Sequence, residues 1–134
     1  MEVIIPDVRE FDDVKRHLVG PVLVPNRFDL HDEALSFNEV EAACHYYNKN
    51  HFGECDINHQ LDVDCARVIE SYILEGDCEI NGQLMTAGTW MAKTEIDHSH
   101  VGDIIWGMIV SGELAGYSPD GGVYEHDIIN EESV

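Results

Sequence analysis

Two side chains in this sequence could act as a nucleophile and its base, Ser118 and His59. Ser118 lies in the glycine-rich stretch Gly112 to Gly122, where the backbone can bring a hydroxyl and neighbouring N–H groups close to a substrate. Histidine is the side chain best suited to accept a serine proton at neutral pH. The spacing alone does not bring the two residues together, and the stretch is also typical of an ordinary hairpin. The sequence therefore supplies the groups for acyl transfer without fixing their geometry.

Histidines and a cysteine between residues 45 and 59 have spacing that resembles a metal site. His51, Cys55 and His59 recur at every fourth residue, and His45 precedes them. This spacing gathers ligands only on a helix or a tight loop, and Gly53 disfavours one continuous helix through them. We therefore interpret these residues as surface and core side chains, and we predict neither a metal ion nor a cofactor.

Acidic pairs are a further candidate for cation binding. They are Asp12-Asp13, Asp62-x-Asp64, Glu125-x-Asp127 and Glu131-Glu132. None has the full spacing or the glycine of a calcium loop, so we interpret them as solvated acidic surface.

The charge balance of the 134-residue chain restricts its partners. It has 27 acidic and 7 basic residues, which gives a formal net charge of -20. Without a basic stripe the chain cannot replace the counterions of DNA or RNA, and we do not expect it at an anionic membrane surface. Basic protein surfaces remain suitable partners. The sequence shows no signal peptide and no membrane-spanning run, so we expect the protein in the cytosol, with its four cysteines as reduced thiols.

A strand and a helix are predicted in the first half of the chain. The strand runs from Lys15 to Val24 and is buried on both faces, with Pro21 marking an edge or a bulge. Ser36 and Glu39 fit a capping box, which predicts a helix that ends near Asn50.

Strand patterns dominate the middle of the chain. Residues 55 to 59 are predicted as a short strand that carries His59, and Ala66 to Leu74 as a longer strand rich in β-branched residues. Asn81-Gly82 predicts a tight hairpin, and a further strand follows from Gly88 to Ile96.

A second helix and two more strands complete the prediction. Ser99 fits the start of the helix and Gly112 its end, after which Leu114 to Ser118 and Val123 to Ile129 are predicted to pair. The elements indicate an α+β fold, with about six or seven strands in a small antiparallel β-barrel or strongly curved sheet and two flanking helices.

The length of the chain favours a single domain over residues 1 to 134. Residues 1 to 13 are expected to form a lead-in arm or strand, and residues 130 to 134 a frayed tail.

Six segments, in order along the chain, share their pattern with one known family. They are Gly20-Pro21-Val22-Leu23-Val24-Pro25 with Asp29 and Ser36 after it, the helix that contains Ala42-Ala43, Ile57-Asn58-His59, Val68-Ile69-Glu70-Ser71-Tyr72-Ile73, Gly88-Thr89-Trp90 and Ser111-Gly112-Glu113-Leu114-Ala115-Gly116-Tyr117-Ser118. The series resembles the phage capsid maturation (prohead) serine proteases, in particular the phage serine protease group encoded near portal genes. This resemblance implies an assemblin-like fold, with His59 as the catalytic base, Ser118 as the nucleophile and Ser71 as a structural residue.

The resemblance also implies a third catalytic residue, downstream of the serine, that orients the base. Glu125, His126 and Asp127 are the candidates. Pro119 directly follows Ser118 and removes one N–H that an oxyanion hole would use.

The family implies a prohead serine endopeptidase that cleaves scaffold and capsid proteins through a Ser-His mechanism. The alternative is a catalytically inactive domain of the same fold that serves as a structural or decorating virion protein, a reading favoured by Pro119 and the heavy negative charge. The expected partners are phage capsid and scaffold proteins, with a homo-oligomer left open, and neither nucleic acid nor membrane. The expected location is the host cytoplasm, within the prohead or on the virion.

Overall fold

A four-stranded antiparallel sheet and three helices form most of the described structure. The computed structural model describes Val8, residues 10–27 and residues 34–113. In chain order its elements are β1 (Glu10–Asp12), β2 (His17–Leu23), α1 (Phe37–Asn50), α2 (Asp56–Leu61), β3 (Ala66–Ile73), β4 (Cys78–Ile80), β5 (Gln83–Met85), β6 (Trp90–Ile96) and α3 (His100–Ser111). The main sheet has the strand order β1-β2-β6-β3, and β4 and β5 form a separate hairpin.

The strand β6 lies inside the main sheet. It pairs antiparallel with β2 along one side and with β3 along the other. Neighbouring residues on its opposite faces, Trp90, Met91 and Ala92, are all fully buried. A strand covered on both faces has a continuous apolar run instead of alternation, and the sequence from Trp90 to Ala92 has this character. The core packed around it includes Leu18, Val22, Val40, Cys44, Tyr47, Ile57, Val68 and Ile105.

Pro21 interrupts β2 in the way that the sequence predicts. The pairing of β2 with β6 shifts in register between Pro21 and Leu23, while β1 pairs only with the residues from His17 to Val19. A proline cannot donate to a strand ladder, so it is tolerated at a bulge beyond the end of the neighbouring strand. The predicted edge or bulge is confirmed.

The capping box predicted at Ser36 and Glu39 begins α1. The Ser36 hydroxyl accepts the Glu39 N–H at 3.2 Å, and the Glu39 carboxylate accepts the Ser36 N–H at 2.9 Å. Val40, Cys44 and Tyr47 are buried on one face of the helix. The helix ends at Asn50, where the sequence places its end.

The helix α3 is anchored at its start and in its middle. The Ser99 hydroxyl accepts the N–H of Gly102 at 3.0 Å, and Trp106 Nε1 donates to Asp13 Oδ1 at 3.0 Å. Gly112 ends the helix with a φ of 84°, a left-handed conformation that glycine adopts without steric cost. The predicted cap and stop are both confirmed.

The hairpin predicted at Asn81-Gly82 is also confirmed. The strands β4 and β5 flank these two residues, with Ile80 paired to Gln83. Asn81 has a φ of 50° and Gly82 a φ of 81°. Two successive positive φ angles define the tight turn that matches strand twist, and asparagine followed by glycine is the dipeptide that adopts it most readily.

Two features of the predicted fold differ from the structure. Residues 55 to 59, predicted as a short strand, lead into and form the first turn of α2, so the described residues contain three helices instead of two. Cys55 and Ile57 are both buried, and burial two residues apart is equally compatible with a strand, which explains the error. The barrel is not confirmed, because within the described residues the sheet is open, with β1 and β3 at its edges.

Several predicted segments lie outside the described residues. These are the strands at Leu114 to Ser118 and Val123 to Ile129, the tail at residues 130 to 134 and residues 1 to 7 of the lead-in arm. Later in that arm, β1 forms the expected strand. Among the helices that the structure describes, none combines the length and the apolar character that crossing a membrane requires.

The four cysteines are free thiols, as expected from the sequence. Cys44, Cys55 and Cys65 are buried, and Cys78 is partly exposed. Burial raises the pKa of the Cys55 thiol from 9.0 to about 12, because the thiolate would lose its hydration. Burial also raises the pKa values of Cys44 and Cys65. These three thiols are therefore core side chains in their neutral form.

Gly102 and Gly107 provide a matched pair of substitutions within α3. A Cβ atom at Gly102 would overlap the carbonyl oxygen of Asp97, whereas a Cβ atom at Gly107 meets nothing within 4 Å. We expect Gly102→Ala to lower the free energy of unfolding by about 1–3 kcal/mol, because the backbone must move. Gly107→Ala should raise it by about 0.5–1 kcal/mol, because alanine is the better helix former. Urea unfolding measures both variants, and equal stabilities would contradict the close approach at Gly102.

The buried thiols predict a pattern of alkylation and of pH dependence. Iodoacetamide at about pH 8 should modify Cys78 in the folded protein, and all four cysteines only after unfolding in urea. Because the folded pKa of Cys55 lies above its ordinary value of 9.0, the unfolded thiol ionises first as the pH rises. The free energy of unfolding should therefore be unaffected by this group below pH 9 and fall between about pH 9 and 12. Mass spectrometry after brief labelling tests the pattern, and modification of Cys55 as fast as Cys78 in the folded protein would refute it.

Candidate active site

His59 projects from the short helix α2, which the rest of the fold holds in place. On the buried side of this helix Ile57 is fully enclosed, and Cys55 and Asp56 are 2% and 7% exposed. His59 itself is exposed. A helix of six residues has too few internal hydrogen bonds to persist alone, so its position depends on these tertiary contacts.

Asn58 fastens α2 to the start of β3. Its Oδ1 atom accepts the N–H groups of Cys65 at 2.9 Å and of Ala66 at 3.0 Å, and its Nδ2 atom donates to the carbonyl of Ala66 at 2.8 Å. The backbone carbonyl of Asn58 also accepts the N–H of Val63 at 3.0 Å. The residue directly before His59 is therefore fixed through both its side chain and its backbone.

The loop before α2 is fastened to two further elements. The carbonyl of Gly53 accepts the N–H of Val68 on β3 at 3.1 Å, and the carbonyl of Glu54 accepts the Tyr47 hydroxyl of α1 at 2.7 Å. His59 is thus carried by a short helix that is held on both sides. Such rigid placement suits a side chain whose function depends on its position.

The His59 ring is open to approach. None of the hydrogen bonds or ion pairs between described residues involves it. An exposed imidazole with a free nitrogen can accept a proton from a hydroxyl that is brought within about 3 Å of it.

The other predicted catalytic residues lie outside the described residues. They are Ser118 and the three candidates for the third position, Glu125, His126 and Asp127. The pairing of His59 with Ser118 therefore stays a prediction. What the described residues establish is the support and the exposure of the histidine.

Ser71 makes a structural hydrogen bond. Its hydroxyl accepts Trp90 Nε1 at 2.9 Å and lies 3.9 Å from the sulfur of Cys44. Trp90 is fully buried, and a buried indole N–H needs such a partner. The hydroxyl links β3, β6 and α1 within the core.

The residues that resembled a metal site are used in other ways. His51 Nδ1 lies 2.7 Å from Glu54 Oε2, and the raised pKa of the buried Cys55 thiol disfavours the thiolate that would bind a metal. Between residues 8 and 113, as far as the structure describes them, no group of three or more histidine, cysteine or acidic side chains is arranged to hold a metal ion.

The acidic pair near the N-terminus, Asp12-Asp13, is likewise bound to protein groups. Asp12 Oδ1 accepts the N–H groups of Val14 and Lys15 at 3.0 and 2.9 Å, and the bond from Lys15 is the main cause that lowers the pKa of Asp12. Asp13 accepts the indole N–H of Trp106. These carboxylates organise a turn and anchor a helix.

The helices and strands of the described residues define a mixed α/β protein with a largely antiparallel sheet. Comparison with known sequences adds the family. The family described as "Putative phage serine protease XkdF" matches residues 5–126, which include both His59 and Ser118. The chain belongs to this phage serine protease family, which confirms the resemblance seen in the sequence.

Two curated relatives come from Bacillus subtilis (strain 168). The phage-like element PBSX protein XkdF is 30% identical over 122 residues, which cover 91% of this chain and 41% of that protein. The uncharacterized protein YqbD is 29% identical over 109 residues, which cover 81% of this chain and 32% of that protein. The chain thus spans 32% and 41% of the length of these two relatives. No solved structure matches the chain.

Asn58 is the supporting residue that the sequence did not reveal. It lies within the Ile57-Asn58-His59 segment, but only the folded contacts show its three side-chain hydrogen bonds. An asparagine beside a candidate catalytic histidine, ahead of a strand start, is the signal that could have found it.

Substitution of Asn58 tests the support of His59. We expect Asn58→Ala to lower the free energy of unfolding by about 2–3 kcal/mol, because two N–H groups and one carbonyl lose their partner. Asn58→Asp should cost less, since it keeps the acceptor for Cys65 and Ala66. His59→Ala serves as the control and should change stability by less than about 0.5 kcal/mol. Urea unfolding gives all three values. An unchanged free energy of unfolding in Asn58→Ala would show that α2 is positioned by other contacts.

Proposed function

We propose that this chain is a prohead maturation serine endopeptidase in which Ser118 is the nucleophile and His59 the general base. The observation that carries the proposal is the family match over residues 5–126, which spans both residues. The exposed position of His59 on the fastened helix α2 supports it, because a general base must be both fixed and accessible.

The proposed reaction is acyl transfer in two steps. Ser118 Oγ attacks the carbonyl carbon of the scissile peptide bond while His59 takes the hydroxyl proton. His59 then gives this proton to the leaving amine, and the C–N bond breaks to leave an acyl-enzyme. A water molecule, deprotonated by His59, then attacks the ester carbonyl, the bond from the acyl carbon to Ser118 Oγ breaks, and His59 returns the proton to Ser118 Oγ as the carboxylic acid product leaves. Glu125, His126 or Asp127 would orient the imidazole.

The proposed substrates are phage scaffold and capsid proteins. Their basic segments would be attracted to this chain, whose formal net charge is -20. Cleavage would take place in the host cytoplasm, within the prohead, and self-association of the chain fits this setting. The relatives are longer than this chain, so other segments of a full-length protein would add to substrate choice.

Pro119 favours a second candidate function, that of a structural or decorating virion protein with the same fold. Proline directly after the nucleophile lacks the N–H that would otherwise help to stabilise the oxyanion. A domain that had lost turnover would keep the fold and remain in the mature particle.

Active-site labelling separates the two functions. A fluorophosphonate probe should label Ser118 in the wild-type chain, and Ser118→Ala should abolish the labelling. His59→Gln should slow labelling by about 10²–10⁴-fold, because the base no longer accepts the proton. His98→Gln is the matched control, since His98 is also exposed but lies at the entrance to α3. Absence of labelling in the folded wild-type protein, together with retention in mature particles, would favour the structural function.

A further inference from the structure

An open groove lies between α1 and the second half of β3, away from His59. Its volume is about 620 Å³. The helix contributes Glu41, His45 and Asn48 to one wall, and the strand and the residues after it contribute Ser71 and Glu75 to the other. The helix α2 joins the opposite end of β3, where Asn58 bonds to Ala66. At about 3.3 Å per residue, the two ends of this strand are roughly 23 Å apart.

The groove exposes the backbone edge of a strand. In the main sheet β3 is a terminal strand, paired only with β6 among the described residues. The N–H of Leu74 donates to Thr89, and the carbonyl of Leu74 accepts from Gly88, so the backbone groups of Leu74 point towards the sheet. Backbone directions alternate along a strand, and those of Ile73 therefore point towards the groove. An edge of this kind is a template for an added strand.

One side chain already bonds to this edge. Asn48 Nδ2 donates to the carbonyl of Ser71 at 3.1 Å, while Asn48 Oδ1 is buried without a hydrogen-bond partner among the described residues. A shielded acceptor without a donor is unfavourable.

The charge of the groove selects the ligand. Glu41 and Glu75 are exposed carboxylates at its wall, and the residues that line it include no lysine and no arginine. The permanently charged side chains that line the groove are therefore both carboxylates, in a chain with a net charge of -20. The complementary ligand is therefore an extended peptide that carries lysine or arginine side chains.

We propose that this groove binds an extended basic peptide, which adds as a strand to the edge of β3 with basic side chains beside Glu41 and Glu75. The peptide pairs with the backbone from Ile73 onwards and leaves the edge at Ser71, because the carbonyl of that residue already accepts from Asn48. The proposal rests on the proposed function in identifying this peptide as part of the protease substrate. It assigns the groove a role in holding substrate at a distance from the bond that is cleaved.

A binding experiment tests the groove without requiring cleavage. The probe is a fluorescein-labelled heptapeptide of alternating lysine and valine, and the protein is the full chain carrying Ser118→Ala. We expect saturable binding by fluorescence anisotropy. Adding Glu41→Gln and Glu75→Gln should weaken it about three- to tenfold, because two exposed charge pairs are lost. The matched control adds Glu10→Gln and Glu113→Gln, two exposed glutamates that do not line the groove, and should weaken binding less than twofold.

A modified peptide tests strand addition. Methylation of alternate backbone nitrogens removes the N–H groups that would pair with β3, and we expect at least tenfold weaker binding. Amide NMR shifts on addition of the unmodified peptide should change at Ile73 and Glu75. Equal weakening by the two double variants, equal binding of the methylated peptide, shifts confined to other elements or no binding at all would overturn the proposal.

The outcomes for the groove and for catalysis are independent. Peptide binding at β3 without fluorophosphonate labelling of Ser118 would support the proposed peptide-binding groove and contradict the proposed protease activity. Labelling of Ser118 without peptide binding at β3 would support the protease activity and contradict the peptide-binding groove.

Discussion

The double pairing of β6 is the constraint on which the rest of the fold depends. Because β2 and β3 bind its two edges and the core covers both faces from Trp90 to Ala92, this part of β6 can carry only side chains that tolerate complete burial. Trp90 satisfies this condition through the bond from its indole N–H to Ser71. That bond in turn fixes the face of β3 against which α1 packs. The positions of α2, which carries His59, of the groove and of α3 therefore all depend on β6.

The sequence was sufficient to predict those features of the fold in which one residue type has one physical consequence. The capping box at Ser36, the turn at Asn81-Gly82 and the stop at Gly112 all depend on interactions within a few residues, and all three were predicted correctly. Pro21 belongs to the same group, because its missing N–H permits few positions in a sheet.

Tertiary contacts account for what the sequence did not reveal. The helix α2 is too short to be predicted from periodicity, and its stability comes from Asn58 and from burial of Ile57. The barrel could not be decided from element counts, because closure depends on which strands form the edges. In the candidate site, the family pattern indicated His59, but neither its helical setting nor its fastening to β3 follows from residue spacing.

The protein's own basic side chains neutralise only part of its acidic surface. Arg16, Arg67 and Lys93 form ion pairs. Arg16 Nη2 lies 2.7 Å from Asp103 Oδ1, and Arg67 Nη1 lies 2.7 Å from Asp64 Oδ1. Lys93 Nζ lies 3.2 Å from Glu70 Oε2. Those cations are therefore committed to local pairs, and the exposed pair of Arg67 with Asp64 contributes little to stability. The remaining negative charge is left for counterions or for a basic partner, so association with such a partner should weaken as salt is added.

The anchoring of α3 limits where the proposed nucleophile, Ser118, can lie. Trp106 and Ser99 fix the helix, and Gly112 and Glu113 follow directly from its last turn. Ser118 is five residues beyond Glu113 in the sequence. Covalent geometry alone restricts it to a sphere of roughly 18 Å around that point. The bond from Trp106 to Asp13 therefore matters to the proposed catalysis, because a change that shifts α3 would move the region that Ser118 can reach relative to His59.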